Sequence, residues 1–436
     1  MKYYCIGIKG AGMSCLAQIL YDLGNEVIGY DDVRDHKYTE EGLDKRGIKI
    51  YYDGTHALDP DIIVTYSDAF SMDHPEIKRI KELCLKVELY AEILGKLSGM
   101  FKTIGVAGTH GKTTTSTMIN HVLGSYKGCN YFIGDGSGYA KKENEFFVLE
   151  SDEYKKHFDT YKPYYAVVTN IELDHAECYN GLDDIIYNFN LFANKGEYAI
   201  LCGDSENVRK MNVTTKTIYY GFNDNNDVVA KNVVLTSAGS SFDVYMNGNF
   251  YGHFDIPLYG NHMILNALSC IIVCDKEGIT YEQIHEKLEN FQNAKKRFVV
   301  KELGDVVEVD DYAHHPTEIK VTLESARQKY PDKEVVAVFL PNTYSRTRDL
   351  MGDFISVLSE ADKAYVMDIR CNREKQEDYP GVTSDSIIEK VEGAEKIDEG
   401  SAEKLLKHKN AVICFMSCAD IHPMEEAFEK TLEEGE

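Results

Sequence analysis

Short apolar runs alternate with stretches of helical periodicity along almost the whole chain, which predicts parallel sheets covered by helices. The first run, at 3–8, reads as a buried strand that turns through Lys9-Gly10-Ala11-Gly12 into a helix ending near Leu23-Gly24. Strands are expected at 26–30, stopping at Asp31, and at 48–51, 61–65 and 85–87, with 94–99 closing this unit. A second region opens with an apolar strand at 101–107 and continues with strands at 146–150 and 165–169, apolar until a polar end. In open α/β sheets such strand ends are where ligands collect. Residues 228–257 are β-rich with a hairpin at Asn247-Gly248-Asn249, and a helix from about 261 to 274 follows. After a polar stretch at 292–295, strands at 297–300, 306–309, 335–339 and 364–367 make a third alternating unit. The pattern divides the chain into 1–98, 99–294 and 295–436, all α/β, the middle unit mostly parallel with a small β-rich part.

Composition narrows the function classes. A chain of 436 residues exceeds one hydrophobic core, and 43% apolar with 27% charged residues describes a soluble globular protein. The net charge of −25, with no basic patch to offset it, argues against a nucleic-acid partner. Eleven cysteines lie scattered without a C-x-x-C pair. Cys270 and Cys274 are one helical turn apart in an apolar run, where thiols are more often buried than ligating. The chain enters its first strand directly, and no run approaches the about 18 apolar residues of a membrane span. A reduced, cytoplasmic protein without membrane insertion is expected.

The chemistry concentrates at strand ends. Residues Gly105 to Thr115 read G-V-A-G-T-H-G-K-T-T-T, a phosphate cradle between a strand and a helix. Gly108 and Gly111 let Thr109 and His110 turn their backbone N–H groups toward phosphate oxygens, Lys112 reaches the β/γ oxygens, and Thr113 offers a hydroxyl to Mg²⁺, with Thr114 following. The first glycine, Gly105, stands one residue earlier than in the usual spacing. Glu150 ends an apolar strand, as a Mg²⁺-holding acid beside such a loop should, and Glu153 is a weaker candidate. The run Thr169-Asn170-Ile171-Glu172-Leu173-Asp174-His175 offers acids and a histidine for a second metal. His262 and Asn266, one turn apart at a helix start, suit an adenine or a cap equally well. Asp310-Asp311-Tyr312-Ala313-His314-His315-Pro316-Thr317-Glu318 puts two acids and two histidines at a strand–helix junction. Arg346 and Arg348 stand where they could clamp a carboxylate. The glycine turn at 7–14 could hold a diphosphate, although Lys9 occupies the second-glycine position of a dinucleotide fingerprint, and Asp31 stands at a ribose partner's place.

Together, G-I-K-G-A-G-M-S, G-T-H-G-K-T-T-T, L-E-S-D-E-Y-K-K-H-F, T-N-I-E-L-D-H, G-N-H-M-I-L-N-A, K-K-R-F, D-D-Y-A-H-H-P-T-E-I and S-R-T-R-D resemble the Mur ligase family over essentially the whole chain. The resemblance implies three domains: a Rossmann-like one for the UDP substrate, a central P-loop ATPase, and a Rossmann-like one that closes over the nucleotide. It implies that ATP phosphorylates the carboxylate of UDP-N-acetylmuramate and that the amine of L-alanine then displaces phosphate, in peptidoglycan precursor synthesis. Carried over by position, Lys112 holds the phosphates, Thr113 and Glu150 bind one Mg²⁺, and His175 resembles the ligand of a second. Asn266 and His262 match the adenine side, Arg297 would reach the phosphates, and Asp311 the ribose. His314, His315 and Arg346 would form the alanine site, and Gly10, Gly12, Met13 and Ser14 would cradle the uridine diphosphate. A monomer or homodimer is expected.

Met263 and Asn342 depart from the family's usual asparagine and histidine, Tyr30 from the serine before Asp31, and Ser417-Cys418-Ala419 from the glycines before Asp420. Three other activities are compatible with parts of the pattern: a ligase that joins a preformed tripeptide to the same sugar nucleotide, a non-catalytic nucleotide-gated binding protein, and a dinucleotide oxidoreductase. Lys9 speaks against the last.

Overall fold

In the computed structural model, which describes residues 1–174, 178–371 and 374–435, the strands form three sheets. The first contains β1 (Lys2–Ile6), β2 (Glu26–Tyr30), β3 (Lys49–Tyr51), β4 (Ile63–Tyr66) and β5 (Lys86–Val87), in the order β3-β2-β1-β4-β5 and all parallel. Its inner strands β1, β2 and β4 are mostly buried and read as apolar runs, whereas the outer strands β3 and β5 are half-buried to exposed.

The second sheet has ten strands: β6 (Lys102–Ala107), β7 (Cys129–Ile133), β8 (Ser137–Tyr139), β9 (Phe146–Glu150), β10 (Tyr165–Val168), β11 (Tyr198–Cys202), β12 (Lys216–Gly221), β13 (Val228–Thr236), β14 (Gly239–Met246) and β15 (Asn249–Ile256). Its order is β15-β14-β13-β12-β11-β10-β6-β9-β7-β8. The β-rich stretch expected beside the parallel sheet is its antiparallel continuation, β13 to β15. The third sheet holds β16 (Val299–Leu303), β17 (Val306–Asp311), β18 (Glu334–Phe339), β19 (Lys363–Val366), β20 (Glu395–Lys396) and β21 (Ala411–Met416), in the order β16-β17-β21-β18-β19-β20. The strand expected at 297–300 starts later, at Val299, because Lys296 and Phe298 take positive φ, 55° and 53°, outside the extended region that regular strand pairing needs.

The first two sheets share one apolar core: Met13, Leu16 and Leu94 pack in the same cluster as Phe132, Phe147 and Phe158. The helix Ala11–Asp22 is docked against β8, where Gln18 Nε2 donates to Gly136 O at 2.8 Å. The third sheet has its own two clusters, built from Phe298 onward. Among the described residues no helix is long and apolar enough to cross a membrane.

Candidate active site

The parallel strand β6 ends at Ala107, and the chain turns into the helix Lys112–Lys127. Two glycines make that turn possible. Gly108 has φ +147°, and a Cβ there would stand 1.9 Å from Thr169 Oγ1; Gly111 has φ +83°, with Asn266 Oδ1 2.9 Å from the same point. Asn170 braces the loop in both directions, accepting from His110 N and donating to His110 O, each at 2.9 Å. The helix presents its positive end to this loop.

Lys112 Nζ folds back to donate to Gly108 O and to Glu153 Oε1, the latter at 2.9 Å. Burial disfavours its charge, yet the Glu153 and Asp152 carboxylates prevail and raise its pKa. At the end of β9, Glu150 accepts from Thr113 Oγ1 (3.1 Å) and from Gly134 N (2.7 Å). Burial pushes the Glu150 carboxyl upward despite Lys112. A carboxylate held in that state gains from a divalent cation, and the Thr113 hydroxyl beside it is a second hard oxygen donor, so the pair fits Mg²⁺. Arg297 Nη2 donates to the same Thr113 Oγ1 at 3.1 Å, and its guanidinium lies 4.8 Å from the centre of the Tyr312 ring.

Two cavities meet at this loop, sharing His110, Gly111, Thr113, Arg297 and Glu318. One, of about 680 Å³, is lined by His262, Met263, Asn266, Phe298 and Asp311 among others. The other, of about 950 Å³, runs from Gly12 and Phe132 past Lys112 and Glu150 to His314, Arg346 and Asp420. His262 is a neutral ring, its pKa pushed down to about 4 by burial. Asp311 accepts from Phe298 N (2.7 Å) and Ala313 N (2.8 Å), and burial lifts it to about 6 against the Arg297 charge. Thr114 Oγ1 donates to Asn293 Oδ1 at 3.1 Å, and Thr109 Oγ1 accepts from Glu172 N at 2.8 Å.

The first-unit residues divide. Gly12 lines the larger cavity, and Gly10 precedes the helix Ala11–Asp22. Met13 is buried, Ser14 Oγ donates to Thr39 O, and Asp31 accepts from Lys9 N (3.0 Å) and Val33 N (3.1 Å). Lys9, which sequence alone reads as an obstacle, is 1% exposed and paired with Glu40 at 2.9 Å, so it ties the turn to the following loop.

The two adjacent histidines part company. His314 lines the larger cavity, with Nδ1 3.0 Å from Tyr312 O. His315 is 5% exposed, caps the helix Pro316–Lys329 by accepting from Thr317 N, and lies with its ring 4.6 Å from that of His110. Arg346 is held by Asp174, Nη2 to Oδ1 at 3.1 Å. His175 lies outside the described residues.

Sequence reasoning gave Glu318 no role, yet it organises the junction. Its Oε2 accepts from His314 N (3.0 Å) and His315 N (3.2 Å), and its Oε1 is 3.0 Å from His110 Nδ1. Burial opposes its charge, but His314 and His110 hold its pKa well below the ordinary carboxylate value. The signal was present: an acid three residues after a cap, as in a capping box.

Three family models match in chain order: the Mur ligase family catalytic domain over 2–102, the Mur ligase middle domain over 106–274, and the Mur ligase glutamate ligase domain over 296–420. A UDP-N-acetylmuramate–L-alanine ligase of Lacticaseibacillus casei (strain BL23) is 43% identical over 433 residues, 99% of each chain. The chain belongs to the Mur ligase family. A crystal structure of the UDP-N-acetylmuramate-alanine ligase MurC from Thermotoga maritima matches at TM-score 0.83 with 25% identity, covering 100% of both chains. A murein peptide ligase from Psychrobacter arcticus matches in fold at TM-score 0.72 and 21% identity, covering 99% of this chain and 98% of its own. Within this Mur ligase, His110, Gly111 and Thr113 of the phosphate loop and Arg297 stand where the two cavities join, with Glu150 on the wall of the larger one.

Proposed function

We propose that this Mur ligase joins L-alanine to the carboxylate of UDP-N-acetylmuramate at the expense of ATP, in the cytoplasm, with units close to 1–98, 99–294 and 295–436. The supporting observation is the junction itself: Thr113 and Arg297 line both the smaller cavity and the larger one, and the larger one also holds Lys112 and reaches Arg346. Nucleotide entering the smaller cavity beside His262 and Asn266 directs its terminal phosphate to Lys112. A carboxylate held in the larger cavity is a poor electrophile until one of its oxygens attacks the γ-phosphorus and ADP leaves. The amine nitrogen then attacks the acyl carbon, phosphate departs, and the amine proton passes to a base, for which our candidate is His314, on the wall of the larger cavity. Lys112 and Arg297 spread the charge that develops on the transferred phosphoryl group. Mg²⁺ held by Thr113 and Glu150, with His175 for a second ion, would screen that charge further. Arg346, already oriented by Asp174, is the group for the amino-acid carboxylate. L-Alanine and ATP with UDP-N-acetylmuramate labelled with ¹⁸O in its carboxylate should yield labelled phosphate. Unlabelled phosphate overturns the acyl-phosphate route, turnover with tripeptide alone favours the recycling ligase, and no ADP release indicates a binding protein.

A further inference from the structure

Beside the larger cavity, whose wall includes His110 and Glu318, lies a cluster of side chains that the reaction above does not use together. His110 of the phosphate loop, Glu172 from the segment after β10, and His315 at the cap of the helix Pro316–Lys329 each offer a nitrogen or oxygen, all within 4.8 Å of one another. His110 Nε2 is 3.3 Å and His315 Nδ1 is 3.7 Å from Glu172 Oε2. Four-coordinate zinc holds such atoms at about 2.0–2.1 Å, which places neighbouring ligands about 3.3 Å apart. The two measured spacings therefore already approach those around an ion.

The supporting shell is also present. A metal-bound imidazole normally has a carboxylate behind its other nitrogen, and His110 Nδ1 is 3.0 Å from Glu318 Oε1. The ligating carboxylate is itself oriented, because Thr317 Oγ1 donates to Glu172 Oε2 at 2.7 Å. His315 is buried; its Nδ1, the atom 3.7 Å from Glu172, accepts the cap bond from Thr317 N at 3.3 Å, which an ion on that nitrogen would have to displace, while its Nε2 has no hydrogen-bond partner among the described residues.

We propose that His110, Glu172 and His315 bind a first-row transition-metal ion such as zinc, at a site separate from the Mg²⁺ of the reaction. Two imidazoles and one carboxylate favour Zn²⁺ or Co²⁺ over Mg²⁺, which takes oxygen ligands. The ligands come from the central unit and the third unit, so the ion binds the docked arrangement and clamps the third unit against the phosphate loop.

The test is competition for Zn²⁺ between the metal-free full chain and a chromophoric chelator, in excess Mg²⁺ to occupy the oxygen sites. One tightly held ion per chain is expected. Glu172→Gln and His315→Ala should each weaken it by at least the about 10–100-fold lost when an outer partner is removed. His422→Ala, which deletes an exposed His–Glu surface pair, should leave it unchanged. Failure of the wild-type chain to take zinc from the chelator overturns the proposal, as does wild-type affinity in both ligand variants. Co²⁺ loading of the wild-type chain covers the case of a variant that fails to fold: intense visible bands of a four-coordinate site are expected, and the weak bands of a six-coordinate ion overturn the assignment.

Discussion

At the scale of single residues, the phosphate loop was readable because its chemistry is local: two glycines, a lysine and a threonine within a few positions suffice. The charges that tune it were not. Glu153 meets Lys112 from 41 positions away, and Glu318 meets His110 from 208, so no spacing rule links them. Replacing Lys112 by Ala should lower kcat by at least about 10²–10³-fold, the scale of one lost electrostatic donor. Steady-state kinetics with circular dichroism would separate that loss from unfolding. Glu318→Gln keeps an acceptor for the backbone of His314 and His315 but removes the charge beside His110. A fall of about 10–100-fold in kcat/KM is expected, corresponding to about 1.5–3 kcal/mol for a hydrogen bond to a charged group. Kinetics on that variant indistinguishable from wild type would show that the carboxylate merely caps a helix. The split between His314 and His315 was equally hidden, since adjacent residues at a cap point in different directions.

At the scale of elements, the strands of the first sheet and β6, β9, β10, β17, β18 and β19 were legible as apolar runs, whereas β7, β8, β11, β12, β20 and β21 were not foreseen, nor was the seam between β17 and the helix His422–Gly435. Glu308 sits within that strand, 5% exposed, and Glu425 on the helix is buried to the same degree. Burial, then the charges of Glu425 and Glu429, lift Glu308 to about 8; burial and Asp310 lift Glu425 to about 6. An acid whose folded pKa exceeds its unfolded value of about 4.3 stabilises the fold at low pH, and that contribution is lost as pH rises through the folded pKa. Stability of the third unit should therefore fall between about pH 5 and pH 8. Glu308→Gln should raise Tm by several degrees above about pH 8 and change it little at about pH 5. Thermal melts at the two pH values decide the matter, and a benefit equal at both would contradict the assignment. From the sequence, a glutamate between valines in V-V-E-V reads as the solvent face of a strand, and only the packed helix reveals otherwise.

At the scale of the whole molecule, the units are joined in two different ways. The first and central units share an apolar core, whereas the third meets them largely through polar contacts, including Arg346 with Asp174, Thr317 with Glu172, and Gly260 N with Gln328 Oε1 at 2.7 Å. Scanning calorimetry should resolve two transitions, one for the first two units together and one for the third. A non-hydrolysable ATP analogue should draw them together, because it touches both sides of the polar seam. A single transition without ligand would mean that the seam is as strong as a core. The division into three α/β units was visible in the sequence, but the inequality of the two joints was not, since it depends on which faces of Met13, Leu16 and Phe132 end up opposed. That inequality bears on how such proteins can be recombined. A chimaera spliced at the second joint should exchange a self-contained module. One spliced at the first tears a common interior and should emerge insoluble.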